Sequence, residues 1–392
     1  MAFELPERGF VFWPVGTGDS STVVLDSSKT VVQIDLHELE CCDEKDDPHT
    51  SIVNELERLL PKVDDKPYLS TFILTHPDRD HIKGFEELLS KVTIGEIWHT
   101  PRVWREDDEE LCDDAKAFAE EAERRRKQTI HTHGETAAGD RVRVIGHDDL
   151  FEEEAYKNFP DSWRSHPGKS VTAIDGQDYT GVFEAFIHAP FKDNCDGDRN
   201  DTSLALQVTL TNDKSSAKAL FLGDHCYPTI KRIFDVTKEK KREQYLEWDV
   251  LLCAHHCSKS IMYWRDDPEK GEVLKKDIMQ DFEDSALPAA HIIASAESDF
   301  SDDEGKNPPH LKARKRYEEI ADAGHFICTQ EHPNTKAPEP ITFELADTGI
   351  SVPEASVAKA HKTGSALAAA VSAARGGDGP AKSQVGFGQS RR

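Results

Sequence analysis

The segment 72–84 constrains the fold of this chain more than any other part of the sequence. It begins with three apolar residues, 72–74, which are typical of a short buried strand. Four metal-binding side chains follow within six residues, and the segment then continues into an apolar pattern typical of a helix. The four are His76, Asp78, Asp80 and His81. The sequence therefore predicts half of a two-metal site on a turn between a strand and a helix.

Two more strand-like segments end in residues of the same kind. Segment 219–222 leads to Asp224, and segment 248–254 leads to His255 and His256. Strand ends converge at one edge of layered α/β folds, so we expect these side chains to join the first four. Together they would supply ligands for two divalent ions about 3.5–4 Å apart, which lower the pKa of a shared water and generate hydroxide. Asp224 is the candidate for the bridging ligand.

Composition limits the class of protein. The chain has 392 residues, of which 37% are hydrophobic and 31% charged, as expected for a well-solvated globular protein. It has no apolar run long enough to span a membrane and no signal-like N-terminus, so we expect no membrane association and a cytoplasmic location. The net charge of −26 counts against broad non-specific binding of nucleic acid, but not against a phosphate site at metals. The eight cysteines include no CxxC pair and are expected to be reduced thiols.

The sequence predicts one large domain and a tail. Residues 1–350 contain all the strand and helix patterns, with an acidic, loop-rich insertion at about 147–181. From 351 to 392 the chain is rich in Ala, Gly and Ser and is net basic, which predicts disorder. The tail either only solubilises the protein or docks a partner.

The motifs resemble those of metallo-β-lactamase-fold hydrolases, and among them the ComEC-type branch. The similar segments span residues 9–347 in the order of the family: 15–20, 31–35, 75–84, 200–204, 221–224, 255–259 and 309–310. The resemblance implies a four-layer αββα sandwich with two divalent metal ions at one edge of its two sheets. It also implies a metal-dependent hydrolase.

The resemblance assigns a role to each motif residue. His76 and Asp78 would bind one ion, and Asp80 and His81 the other, with Asp224 shared between the two.

His255 would complete the second ion's ligand set, and His256 would be a ligand or face a substrate phosphate. Asp35 would support the metal turn from behind. His310 would contact the substrate phosphate or leaving group, unless it only begins a helix. The candidates for the chemistry itself are Asp80, His256 and His310.

The chain departs from the common family pattern at three positions. Asp78 replaces the middle histidine of HxHxDH, as in ComEC-type members, and this favours Mn²⁺ or Mg²⁺ over Zn²⁺, which stays possible. The histidine expected before segment 203–210 is absent, so the first ion is either held more weakly or supported by Asn200 or Asp201. Cys257 stands where the family has glycine, and is more easily explained by packing than by metal binding.

The first expectation for function is a phosphodiesterase or nuclease whose substrate is a nucleic acid or nucleotide. An alternative is a hydrolase of a small molecule, such as a cyclic nucleotide, ester or lactone. Another is a hydrolase module of a bacterial defence system that needs a protein partner, docked through the tail or the 147–181 insertion. The membrane channel of ComEC is missing, so DNA import is not implied.

Overall fold

The computed structural model describes residues 3–43, 47, 49–104, 111–193, 199–267, 269–303, 307–322 and 324–351. All of them belong to one compact unit, residues 1–351. The tail predicted to be disordered lies outside the described residues, apart from residue 351. In the described part of the chain, no helix combines the length and apolarity needed to cross a membrane.

The strands in chain order are β1 (Gly9–Phe12), β2 (Ser21–Asp26), β3 (Thr30–Ile34), β4 (Lys62–Val63), β5 (Lys66–Ile73), β6 (Thr93–His99), β7 (Arg141–Ile145), β8 (Arg164–Ser165), β9 (Ser170–Val171), β10 (Ala173–Ile174), β11 (Gln177–Asp178), β12 (Phe183–Ala189), β13 (Ala205–Thr211), β14 (Ser216–Phe221), β15 (Trp248–Leu252), β16 (Tyr263–Trp264), β17 (Val273–Leu274), β18 (Ala286–Ala294), β19 (Phe326–Cys328), β20 (Ile341–Ala346) and β21 (Gly349–Ile350). The α-helices are α1 (Ile52–Leu59), α2 (Arg79–Ile82), α3 (Phe85–Lys91), α4 (Asp113–His131), α5 (Asp148–Glu152), α6 (Tyr227–Glu239), α7 (Lys276–Ser285) and α8 (Leu311–Ile320).

The first large sheet runs in the order β21-β20-β1-β2-β3-β5-β6-β7-β8, with β4 paired to β5. Strands β1 to β3 form an antiparallel meander. From β3 through β5, β6, β7 and β8 the pairing is parallel, so these strands end at the same edge. The residues after β5 therefore emerge where β3 also ends.

The second large sheet has the order β19-β18-β15-β14-β13-β12-β9. Strands β12 to β14 are antiparallel, whereas β14, β15, β18 and β19 are parallel to one another. The ends of β14 and β15, which carry the second and third predicted motifs, therefore lie side by side.

Buried apolar side chains divide the fold into four layers. One cluster fills the space between the sheets, where Phe12 of the first sheet stacks on Phe221 of the second at 6.2 Å. A second cluster lies between the first sheet and helices α1, α3 and α4. A third lies between the second sheet and α6, α7 and α8. Because both sheets are covered on both faces, the architecture is the αββα sandwich predicted from the sequence.

The 147–181 segment contributes to both sheets. Its strand β8 pairs with β7 at the edge of the first sheet, and β9 pairs with β12 at the edge of the second. Between β9 and β12 the chain forms a small hairpin, β10-β11. The segment thus spans the two sheets along one side of the sandwich.

Acid should weaken this fold through a buried histidine, His99, at the end of β6. Its side chain is buried, its ring contacts Phe118, and burial lowers its pKa from 6.5 to about 4. Between those values the unfolded chain binds more protons than the folded one, so stability falls as the pH falls from 6.5 towards 4. The cost below that window is about 3 kcal/mol at most.

His99→Gln should reduce this acid sensitivity while keeping an acceptor for Trp104 Nε1, which lies 3.4 Å from the His99 ring. The measurement is urea unfolding of the wild type and the variant at pH 7.5 and pH 5. An equal loss of unfolding free energy in both proteins would show that His99 does not carry this effect.

Candidate metal centre

The predicted ligands meet at one edge of the two sheets. The HxDxDH segment follows β5, with α2 beginning inside it, while the other ligands follow β14 and β15. Backbone hydrogen bonds hold these segments in place: Leu204 N, directly before β13, donates to Thr75 O at 3.0 Å, and His255 N, after β15, donates to Gly223 O, after β14, at 3.1 Å. The structure brings together His76, Asp78, Asp80, His81, Asp224, His255 and His256.

Four of these side chains surround one candidate ion position. His256 Nε2 lies 3.1 Å from His81 Nε2, 3.2 Å from Asp80 Oδ2 and 3.6 Å from Asp224 Oδ2. His81 Nε2 lies 3.2 Å from Asp224 Oδ1. Bonds of about 2.1 Å to a common metal separate neighbouring ligand atoms by roughly 3.0–3.4 Å, from octahedral to tetrahedral geometry. Three of the four separations fall in this range, and these side chains therefore suit one divalent ion.

A second, looser group shares Asp224 with the first. His76 Nε2 lies 3.6 Å from Asp78 Oδ2 and 3.7 Å from Asp224 Oδ2. His255 Nε2 is also 3.7 Å from Asp224 Oδ2, and its side chain is 28% exposed. The distances thus group His256 with Asp80 and His81. His76 and His255 lie at the same distance from Asp224, on the side of the second group.

Unpaired polar atoms support metal binding at this edge. His76 Nε2 and Asp224 Oδ1 are buried and make no hydrogen bond. Leaving a buried polar atom unpaired costs about 1–3 kcal/mol, and more if the group is charged. Both atoms belong to side chains that bind divalent metals, and a cation would satisfy both. The residues therefore fit the metal ions that the sequence pattern implies.

The charges of the site are balanced within it. Burial raises the pKa of Asp224, but the imidazoles of His81 and His256 outweigh it and hold that pKa well below its usual range. Burial lowers the pKa of His256, but the carboxylates of Asp224 and Asp19 raise it to about 10. Burial and the neighbouring His81 lower the pKa of His76. Burial lowers the pKa of His81, but the carboxylates of Asp224 and Asp35 outweigh it and hold that pKa well above its usual range. Without metal, protons on His81 and His256 therefore neutralise the carboxylates, and a bound ion would displace them.

Asp35 holds His81 from behind, as the motif resemblance implies. Its Oδ2 lies 2.8 Å from His81 Nδ1, so the opposite ring atom, Nε2, faces the ion position. The Thr75 backbone N–H and hydroxyl donate to the two Asp35 carboxylate oxygens at 2.8 and 2.6 Å. A carboxylate on the far nitrogen fixes the tautomer and orientation of a metal-binding histidine.

The histidine pair sits on an unusual backbone. His255, His256 and Cys257 have φ values of 48°, 50° and 63°, three consecutive residues in the left-handed region. Residues other than glycine enter that region at a cost, and such strain concentrates at functional sites. The Cys257 side chain is fully buried in the apolar cluster under α6 to α8. Its position agrees with a packing role.

His310 and Asn200 lie on segments next to the ligands. His310 N donates to Cys257 O at 3.1 Å, and its Nδ1 accepts from Lys259 N at 3.2 Å. His310 thus packs against the loop that carries the histidine pair and directly precedes α8. Asn200 lies on the turn before β13, and its buried Oδ1 makes no hydrogen bond.

Sequence reasoning missed one residue of the site, Asp19. Its donor atoms lie within 4.8 Å of those of His81, Asp224 and His256. Asp19 lies in the turn between β1 and β2, seven residues after β1 ends, so the rule of polar residues directly after a strand does not find it. Another group of metal-binding side chains, Cys41, Asp47 and His49, differs because both His49 ring nitrogens already pair, with Asp47 at 2.7 Å and Gln330 at 2.8 Å.

Comparison with known proteins finds similarity to solved metallo-β-lactamase-fold structures. YhfI of Bacillus subtilis, a metallo-β-lactamase-fold protein, is 12% identical, with 86% of this chain and 99% of that chain covered and a TM-score of 0.37. The metallo-β-lactamase GOB-18 of Elizabethkingia meningoseptica is 15% identical, covering 73% and 90% at a TM-score of 0.33. BJP-1 of Bradyrhizobium japonicum, a subclass B3 metallo-β-lactamase, is 17% identical, covering 64% and 75% at 0.31.

No family model matches the chain, and no curated protein matches it. At these identities and TM-scores the alignments assign neither an activity nor site residues. The four-layer fold follows from the strand order and packing, and the site follows from its own distances.

Replacing Asp224 should remove metal from both positions, because each group of ligands includes it. We expect two ions per wild-type chain and fewer than one in Asp224→Ala, measured by elemental analysis after dialysis against Mn²⁺. The control is Asp235→Asn on α6, an exposed carboxylate paired with Lys231. Two retained ions in Asp224→Ala would contradict the shared role.

Proposed function

We propose that this protein is a metal-dependent phosphodiesterase that acts on a nucleic acid or nucleotide. One observation carries the proposal: a buried carboxylate, Asp224, lies between a group of side chains spaced for one divalent ion and a looser group of metal-binding side chains that would hold a second. When bound, such ions activate water at neutral pH, polarise the substrate and offset charge on the leaving oxygen. The motif resemblance to ComEC-type hydrolases supports the choice of a phosphodiester.

We assign the ligands to the two ions by their distances. Asp80, His81 and His256 hold one ion. The residue that completes this ligand set is His256, not His255 as the motif resemblance implies. His76, Asp78 and His255 hold the other, and Asp224 contacts both. In this assignment His255 takes the place of the histidine that the family has before β13. Its partly exposed ring lies at the substrate side of the centre.

The carboxylates favour a hard metal. Asp78, Asp80 and Asp224 give the centre three carboxylates beside its imidazoles, and carboxylates suit Mn²⁺ and Mg²⁺ better than a site of histidines alone. We therefore expect Mn²⁺ or Mg²⁺ to support the highest activity. Zn²⁺, which imidazoles also bind well, is the second candidate.

The basic residues beside the ligands favour a short substrate over a long polyanion. Lys83 and Arg79 are both paired with Glu40, and Lys259 is paired with Glu272 at 3.0 Å. Glu40 and Glu272 offset two of these three positive charges, and the chain carries a net charge of −26, so substrate recognition depends mainly on the metals. This observation supports the second candidate function, a hydrolase of a small cyclic nucleotide, ester or lactone.

The third candidate is a hydrolase that works only with a protein partner, such as a module of a defence system. The net basic tail would be its docking segment on an otherwise acidic chain. A cytoplasmic location stays a prediction from the sequence.

One assay set tests the proposal. Protein loaded with Mn²⁺, Mg²⁺ or Zn²⁺ is incubated with plasmid, single-stranded DNA, RNA, bis-p-nitrophenyl phosphate and p-nitrophenyl acetate. We expect diester cleavage with Mn²⁺ or Mg²⁺. Asp80→Asn, which removes one ligand charge, should lower the rate by more than about 100-fold, beyond the loss typical of outer contacts. Asp235→Asn serves again as the control.

The outcomes separate the candidates. Cleavage of the small diester with no polynucleotide cleaved would rule out the nuclease. Cleavage of the acetate alone would contradict a phosphodiesterase altogether. No turnover by protein that holds two ions would favour the partner-dependent hydrolase, and full activity of Asp80→Asn would refute the assigned centre.

A further inference from the structure

We propose that Asp19 is a positioning residue that orients His256 for metal binding, in the way that Asp35 orients His81. The inference rests on the proposed metal centre and adds a residue that the motif comparison leaves without a role. Asp19 belongs to the turn between β1 and β2, far in sequence from His256.

The two side chains face each other inside the protein. Asp19 Oδ1 lies 3.3 Å from His256 Nδ1, and both residues are buried. Neither of these two atoms makes another hydrogen bond, so a small rotation of the ring would pair them and satisfy both. The opposite ring atom, His256 Nε2, points at Asp80 and His81. The ring thus has a carboxylate on one side and the ion position on the other.

This arrangement decides which nitrogen of His256 can bind a metal. A neutral imidazole binds metal through the nitrogen that carries no hydrogen. A carboxylate beside Nδ1 keeps the hydrogen there and leaves Nε2 free for the ion. Asp35 does the same to His81 at 2.8 Å. The centre therefore has two carboxylate–histidine pairs, one for each imidazole of the tighter group.

The backbone fixes Asp19 in place. Its N–H donates to Asp80 O at 2.9 Å, which ties it directly to the metal turn. The preceding Gly18 accepts a hydrogen bond from Ser295 Oγ at 2.5 Å. A Cβ at Gly18 would lie 2.1 Å from His37 Nδ1 and 2.8 Å from Asp80 O, so only glycine allows this close approach.

One buried glutamine connects the two chain segments that carry Asp19 and Asp35. Gln33 Nε2 donates to Ser20 Oγ at 2.9 Å and to the Asp35 carbonyl at 2.7 Å. Its Oε1 accepts from Thr22 Oγ1 at 2.6 Å, and Trp13 Nε1 donates to that hydroxyl at 2.8 Å. The residue after Asp19 and the backbone of Asp35 are thus held by the same side chain.

Asp19 could instead be a ligand itself, because its oxygens lie near those of the metal group. The two roles differ in what an amide at this position does. Asn Oδ1 still accepts a hydrogen bond from His256 Nδ1, so Asp19→Asn should preserve orientation in part. If Asp19 is a ligand, Asp19→Asn replaces a charged ligand oxygen with a neutral one. The metal affinity of Asp19→Asn would then fall nearly as far as that of Asp19→Ala.

The test is Mn²⁺ titration by calorimetry on wild type, Asp19→Asn and Asp19→Ala, with Co²⁺ absorption spectra to report coordination. We expect Asp19→Ala to weaken one of two ions by about 10–100-fold and leave the other unchanged. Asp19→Asn should lose clearly less, and the Co²⁺ spectra should keep the wild-type coordination number. Asp35→Asn should give a similar loss through His81. Asp26→Asn, an exposed carboxylate at the end of β2, should change neither ion.

Three results would overturn the inference or its basis. If Asp19→Ala keeps both affinities, Asp19 does not position His256. If the amide loses as much affinity as alanine and the Co²⁺ band shifts to a lower coordination number, Asp19 is a ligand. If the wild type binds no ion, the proposed function itself fails and the inference with it. The melting temperature of Asp19→Asn, which keeps the shape of the side chain, checks that the variant is folded.

Discussion

The structure depends on one buried carboxylate, Asp224. Its side chain is almost fully enclosed at the end of β14, where an isolated charge would be costly. Four histidine nitrogens lie 3.2–3.7 Å from its oxygens, those of His76, His81, His255 and His256. Without metal, protons on the imidazoles neutralise it, and with metal the ions would. Asp224 therefore needs positive charge on both sides, and the surrounding histidines are placed to carry it as protons or to hold a bound cation.

The sandwich makes this arrangement possible because it stacks two sheets whose parallel strands end at the same edge. The first sheet presents the HxDxDH turn after β5, and the second presents Asp224 and the histidine pair after β14 and β15. The apolar cluster between the sheets fixes their separation, and hydrogen bonds between the loops fix their register. Asp35 and Asp19 then reach the ligand histidines from behind, through the meander of β1 to β3.

Much of the fold and of the centre could be predicted from the sequence. Apolar strands, each ending in metal-binding residues, identified seven side chains that the structure gathers at one edge. The two-residue strands β8 and β9 could not be predicted, because so short a segment shows no periodicity and pairs only through its neighbours. Asp19 was missed because its partner, His256, is more than two hundred residues away in sequence. The separate placement of His255 and His256 could not be predicted either. It depends on a left-handed backbone at 255–257, where the sequence has no glycine to indicate one.

The central claim is that this edge of the sandwich binds two ions through Asp224. Its most direct test is anomalous diffraction from crystals grown with Mn²⁺. We predict two peaks about 3.5–4 Å apart with Asp224 between them. One peak should lie beside Asp80, His81 and His256, and the other beside His76, Asp78 and His255. A crystal saturated with Mn²⁺ that shows no peak among these residues, or only one beside Cys41, Asp47 and His49, would contradict it.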